Sequence, residues 1–175
     1  MESGEAPDWQ RLYERRESWK AGMVPAGGLL LTAGADVQKD RIEIDVWAWG
    51  RGLESWLIDH MVIEGGPGQP ASWSKLDMLL DRTWRHETGA DLKIQKLAID
   101  TGYEAPAVYS WSRRAGFAQV APIKGVEGFN RASPVSGPTY VDATDNGKRL
   151  RRGARLWTVA VSTFKAETYR FLRLD

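Results

Sequence analysis

Apolar and polar residues along this chain repeat with two periods, and the change from one to the other divides it into elements. Residues 29–36 (LLLTAGAD) form an apolar run that ends on Asp36. After a polar turn at 38–40, Ile42, Ile44, Val46 and Ala48 alternate with Glu43, Asp45, Trp47 and Trp49, the period of a half-buried strand. Gly50 and Gly52 mark a second turn, and residues 54–64 (ESWLIDHMVIE) supply a third strand, so an antiparallel meander is predicted. The stretch GGPGQP at 65–70 then interrupts regular structure.

Helical spacing follows. Ser72 reads as the N-cap of a helix with Trp73, Leu76, Leu80 and Trp84 on one face and Gly89 as its stop. Residues 93–100 form a fourth strand that again ends on an aspartate, Asp100. Pro106 opens a second helix bearing Val108 and Trp111 and ending at Gly116, and residues 119–124 (QVAPIK) make a short fifth strand. Residues 125–146, rich in Gly, Pro, Ser and Asn, read as an irregular excursion and 156–161 as a strand. Ser162 or Thr163 caps a last helix reaching Leu172, with Phe164, Phe171 and Leu172 facing inward. Residues 1–28, polar and ending in Pro25, Gly27 and Gly28, read as a linker or lead-in in which Trp9, Leu12, Tyr13, Arg16 and Trp19 form one or two amphipathic turns.

The order β-β-β-α-β-α-β, then helix, is a meander followed by crossover units. Right-handed crossovers set the fourth strand parallel to and beside the first, which makes Asp36 and Asp100 neighbours at the carboxyl edge of the sheet. Ligands of mixed α/β sheets collect at such edges. A buried carboxylate without a partner costs several kcal/mol, and a divalent cation is a common partner. Two such acids therefore suggest a metal site. The alternatives are local: Asp36 capping the turn that follows it, and Asp100 capping the second helix.

Composition narrows the chemistry. With 175 residues, 42% of them hydrophobic, the chain fits one domain with a full core. It has no cysteine and two histidines, His60 and His86, so disulfides and thiolate sites are excluded and carboxylates favour Mg²⁺ or Mn²⁺ over Zn²⁺. His60 reads as a packed or hydrogen-bonded strand residue and His86 as a surface one. Asp40, Asp45 and Asp59 fall at turn or solvent-phase positions. No apolar run approaches membrane-spanning length and no signal segment is visible, so a soluble, cytoplasmic protein is predicted. The net charge of +1 carries no whole-chain argument for nucleic acid, but residues 145–155 hold five cations against one anion. Lys148, Arg149, Arg151 and Arg152 in this stretch are candidates for phosphate contact, against the alternative of a solvated loop. Nine tryptophans divide between core packing and possible base stacking by Trp47, Trp49 and Trp56.

The arrangement is that of the ribonuclease H-like fold, an α/β fold with a mixed sheet and helices on both faces. The runs LTAGADVQKDRIEIDVWAWG, LAIDTGY, APIKG and TFKAETYRFL strongly resemble the nuclease domain of lambda-type terminase large subunits of tailed phages and prophages, over residues 12–172. In that family a packaging ATPase precedes a metal-dependent endonuclease that cuts concatemeric viral DNA. The resemblance implies that Asp36 and Asp100 are catalytic metal ligands for two Mg²⁺ or Mn²⁺ ions, one lowering the pKa of the attacking water and the other stabilising the leaving 3′ oxygen. It sets Lys124, at the end of the fifth strand, near the same edge as a candidate for phosphate contact, against the alternative of a solvated strand-end lysine. It also implies double-stranded DNA, an ATPase domain, a small terminase subunit and a portal as partners in the cytoplasm of the host cell.

The family uses a third acid on or after the last helix. The expectation is that this ligand lies beyond the sequence given, so that residues 29–175 are a nuclease domain truncated at its C-terminus; Asp175 is the one candidate by position, and Asp142 and Asp145 fall in an unplaced loop. No G-x-x-x-x-G-K-[ST] is present, Gly147-Lys148-Arg149 lacking its spacing and hydroxyl, so no ATP site is predicted and residues 1–28 resemble the stretch joining motor to nuclease. The rivals are a resolvase or transposase core, a non-catalytic ribonuclease H-like DNA-binding module of a packaging motor, and a glycosidase with Asp36 and Asp100 as its acid pair.

Overall fold

The computed structural model describes residues 8–145 and 147–174. A short helix α1 (Trp9–Glu14) and strand β1 (Met23–Val24) precede the meander β2 (Leu30–Val37), β3 (Arg41–Trp49) and β4 (Ser55–Glu64). Helix α2 (Pro70–Asp81), β5 (Thr83–His86), β6 (Asp91–Asp100), α3 (Ala105–Ala115) and β7 (Val120–Val126) follow, and the chain closes with β8 (Val135–Asp145), β9 (Lys148–Ala160) and α4 (Val161–Arg173). The main sheet runs β4-β3-β2-β6-β7-β9-β8. β2 pairs antiparallel with β3 and parallel with β6, and β6 and β7 continue the parallel part, as the crossover argument predicts.

Strict alternation decides which face is buried. Leu31, Ala33, Ala35 and Val37 of β2 and Ile42, Ile44, Val46 and Ala48 of β3 are all at most 5% exposed. They meet Trp73, Leu76, Leu79 and Leu80 of α2 and Val108 and Trp111 of α3 in one core. Trp73 and Trp111 stack with centroids 5.6 Å apart, and their indole N–H groups donate to Pro67 O at 3.0 Å and Asp77 Oδ1 at 2.8 Å. Satisfying both polar handles allows two large aromatics to be buried together.

Several boundaries depart from the pattern. Helix α2 starts at Pro70, with Gln69 as N-cap, because proline at the first turn needs no donor and brings its φ already set; Ser72 lies buried inside the helix and caps nothing. The helix stops at Asp81, and Trp84, four residues beyond Leu80, continues the helical spacing by coincidence. It is a strand residue of β5, 1% exposed, donating to Asp59 Oδ2 at 3.0 Å. Gly89 turns the chain between β5 and β6 at φ +91° rather than stopping a helix. His86 is buried, not superficial, and its Nδ1 accepts from the Thr88 amide at 3.1 Å.

The expected irregular excursion is instead largely a strand. β8 and β9 form a long hairpin; Gly125, Gly128, Pro134, Gly137 and Pro138 fall before and within the first half of β8, an edge strand where the missing N–H of Pro138 is tolerated. The last helix follows β9 directly, with Ala160 as its N-cap residue and no capping side chain, and it buries no residue; Phe164 and Phe171 are exposed, not inward. The lead-in is tied to the domain, since β1 pairs with β5, Val24 is fully buried and the Ala26 amide donates to Glu87 Oε2 at 3.0 Å.

Truncating Trp111, 1% exposed, removes a stacked and hydrogen-bonded core aromatic. Trp111→Ala is expected to destabilise the domain by about 3–5 kcal/mol, whereas Phe171→Ser should be nearly neutral; urea midpoints at constant slope check both.

Candidate functional site

Asp36 is the penultimate residue of β2 and Asp100 the last of β6. The parallel ladder between these strands ends on the pair Ala35 and Ile99, the residues immediately before the two aspartates. The acids therefore stand side by side at the carboxyl edge, on strands about 4.8 Å apart. Because Ala35 and Ile99 are buried, alternation turns Asp36 and Asp100 to the same opposite face, the one that α2 and α3 leave open.

Neither acid is buried: Asp36 is exposed and Asp100 half-buried. The premise that a charge is withdrawn from water is corrected here, since the sheet edge keeps both in solvent while the register brings them together. Asp36 Oδ2 accepts from Gln38 Nε2 at 2.9 Å, and Asp100 Oδ2 from the Gly102 amide at 2.9 Å. Helix α3 has Glu104 as its N-cap, so Asp100 is not its cap. Among the described residues the Oδ1 atoms of both acids have no protein partner. Two hard oxygen donors facing one space suit Mg²⁺ or Mn²⁺. Among the described residues no group of three or more His, Cys, Asp or Glu is placed to hold a metal, and Asp175 lies outside them.

The open face carries further charge that the sequence did not connect with the site. Glu43 is the register partner of Asp36, and Asp45 that of Gly34. Arg41 Nε donates to Glu43 Oε1 at 2.6 Å, which raises the guanidinium pKa further. His60 Nδ1 lies 2.7 Å from Asp45 Oδ1, and this hydrogen bond, against some desolvation, raises the imidazole pKa above its ordinary value. Polar residues at alternate positions of β3 mark a solvent face in the sequence. Only the register shows which of them flanks Asp36.

The cationic candidates are placed elsewhere. Lys124 is at the same sheet end, one position past Ile123, the partner of Asp100, so alternation sets it in phase with Val120 and Pro122 on the other face. Trp157 pairs with Ile123, and Lys148 lies nine positions earlier on β9, in the part of the hairpin beyond the register shift between Val141 and Ala143. Lys148, Arg149, Arg151 and Arg152 sit in the distal part of the β8–β9 hairpin, where Asp142 and Arg149 border Ala105, Pro106 and Tyr109 of α3. There Arg149 donates twice to Asp142 Oδ2, at 3.0 and 2.7 Å, and the Arg152 amide donates to Oδ1 at 2.9 Å. The Arg152 amide first, and Arg149 next, hold the Asp142 carboxyl below its ordinary range. Asp142 is a hairpin clamp engaged by Arg149 and Arg152, and Asp145 pairs with Lys148 in the same ladder. Trp47 and Trp49, tilted 33° with centroids 6.4 Å apart, lie half-buried on the open face, whereas Trp56 covers Gly27 and Gly50.

Residues 1–175 match the family described as the terminase large subunit gpA, endonuclease domain. The chain belongs to this family. It is 36% identical over 167 residues to the terminase large subunit of Escherichia phage lambda, a match covering 95% of this chain and 24% of that protein. It is 31% identical over 173 residues to that of Enterobacteria phage P21, covering 98% and 25%. The chain thus spans about a quarter of the length of these terminase relatives. No solved structure is significantly similar to it. The terminase match bears out the resemblance seen in the sequence. Among the described residues no helix is long and apolar enough to cross a membrane.

In this terminase-family domain, Asp45→Asn should return the His60 pKa towards its ordinary value, because the hydrogen bond that favours imidazolium is weakened. Ring-proton shifts across a pH titration check it; an unchanged His60 pKa would deny Asp45 that role.

Proposed function

We propose that this chain is the metal-dependent endonuclease domain of a terminase large subunit, hydrolysing phosphodiesters of concatemeric duplex DNA during genome packaging in the host cytoplasm. The observation that carries this is the convergence of Asp36 and Asp100 on one face and one end of adjacent parallel strands, each with a carboxylate oxygen that has no partner among the described residues. Residues 29–175 form the nuclease unit, and residues 1–28 lead in from an ATPase domain; the small subunit and portal are its further partners in the parent protein.

Asp36 and Asp100 would hold two Mg²⁺ or Mn²⁺ ions through carboxylate oxygens. When bound, such ions lower the pKa of an attacking water and supply positive charge against the phosphate and the leaving 3′ oxygen. The chain's own part is placement: Gln38 and the Gly102 amide fix one oxygen of each acid and so aim the other. We assign Lys124 and the basic part of the β8–β9 hairpin to phosphate contacts.

A second reading, a module that grips DNA without cutting, is favoured by one observation: the described residues bring two carboxylates together and no third ligand. Supercoiled plasmid with Mn²⁺ separates the two. Nicking that falls by about 100-fold or more in Asp36→Asn and Asp100→Asn supports the nuclease; DNA binding without metal-dependent nicking supports the module. Gly102→Ala adds a geometric test, since a Cβ there would lie 2.8 Å from Asp100 Oδ2 and must turn the carboxylate. Mn²⁺ affinity, read by calorimetry, should fall about tenfold with thermal unfolding nearly unchanged.

A further inference from the structure

On the open face, the row next to the acidic pair runs from His60 of β4 through Asp45 of β3 and Gly34 of β2 to Ala98 of β6. Gly34 is exposed, and a Cβ there would meet nothing within 4 Å, so the floor between His60 and Asp36 is low and unobstructed. His60 lies two strands across and two residues back from Asp36, about 12 Å away. That matches the axial rise of three to four nucleotides at about 3.4 Å each.

We infer that His60, aimed by Asp45, grips a DNA phosphate a few nucleotides from the cut, and does so only as imidazolium. The inference rests on the nuclease reading above. Its chemistry follows from the ring contact. Nδ1 is committed to Asp45 Oδ1 at 2.7 Å, and the side chain of His60 is 52% exposed, so Nε2 is the nitrogen presented to solvent. In the neutral ring with Nδ1–H donating to Asp45, Nε2 is an acceptor and repels a phosphate oxygen; protonation makes it a charged donor. The charged groups around His60 are Asp45, Glu43 and Arg41 of β3 and Asp59 and Glu64 of β4, which is the edge strand of the sheet. The acids among them favour the imidazolium, so its grip persists above the ordinary histidine range and is lost as pH rises through the raised value.

Anisotropy of a short fluorescent duplex, with Ca²⁺ replacing Mn²⁺, tests this against salt at about pH 6 and about pH 8.5. The wild-type chain should bind about three- to fivefold more tightly at the lower pH, with a log–log salt slope steeper by about one. His60→Gln should bind weakly with the shallow slope at both pH values, and His60→Lys should keep the steep slope at both. Wild-type pH and salt dependence in His60→Gln would overturn the inference while leaving the nuclease reading, tested by Asp36→Asn cleavage, intact. A wild-type chain that binds no duplex at either pH would remove both.

Discussion

The pairing of β2 with β6 is the constraint on which everything else depends. Between them the chain builds β3, β4, α2 and β5, and the helix closes the face it crosses by burying Trp73, Leu76, Leu79 and Leu80. The opposite face is left open at the same stroke. Register then decides which side chains reach it, because a slip of one residue along a strand moves every side chain to the other face. The ladder contains such a shift: Leu31 pairs with Ile94, but Thr32 pairs with Lys96. The residue skipped, Gln95, lets Ile94 and Leu97 both face the core though they are three apart, and it brings Asp100 level with Asp36. A regular ladder would set Asp36 beside Ile99.

The meander and the aspartate pair were legible because their signals are local and of period two. Ile42 to Ala48 alternate without interruption, and a strand that ends on a charge declares where it leaves the core. What failed were inferences that needed more than one element. Trp84 keeps the helical spacing from Leu80 while belonging to a strand, since a buried tryptophan fits either period once its indole finds Asp59. Composition misread residues 125–146, where Gly125, Gly128, Pro134, Gly137 and Pro138 fall before and within the first half of β8 while Thr139, Tyr140 and Val141 carry a strand pattern. The basic stretch was visible as charge but its position was not, because that is set by the broken register of the β8–β9 hairpin and its packing on α3.

The carboxylates and the cations are carried by separate elements. The acids stand at the outlet of parallel strands, and the cations crowd a hairpin whose one described acid clamp, Asp142, is already occupied by Arg149 and Arg152. The register of that hairpin is broken between Val141 and Ala143, and beyond the break Asp142 and Arg149 border Ala105, Pro106 and Tyr109 of α3, the helix that follows Asp100. The element that links the two sets of charges is therefore α3 and not the length of β9.

Near the acidic end, selection among carboxylates follows from what each already binds. Glu43 and Asp45 lie beside Asp36 and Gly34 on the same face, and proximity alone would make them rivals for a cation. Glu43 is engaged by Arg41 and Asp45 by His60, each through a contact of 2.7 Å or less. Asp59, in phase with Val46 on the helical side, is engaged by Trp84 and Arg82. Asp36 and Asp100 differ in that their one partner apiece is an uncharged amide that leaves the second oxygen open. A divalent cation entering this face would have to displace an arginine or a histidine to reach Glu43 or Asp45, and displaces nothing to reach Asp36 and Asp100. Arg41 of β3 and His60 of β4 thus occupy the flanking acids and leave open, for the proposed metal, the pair that the β2–β6 register aligns.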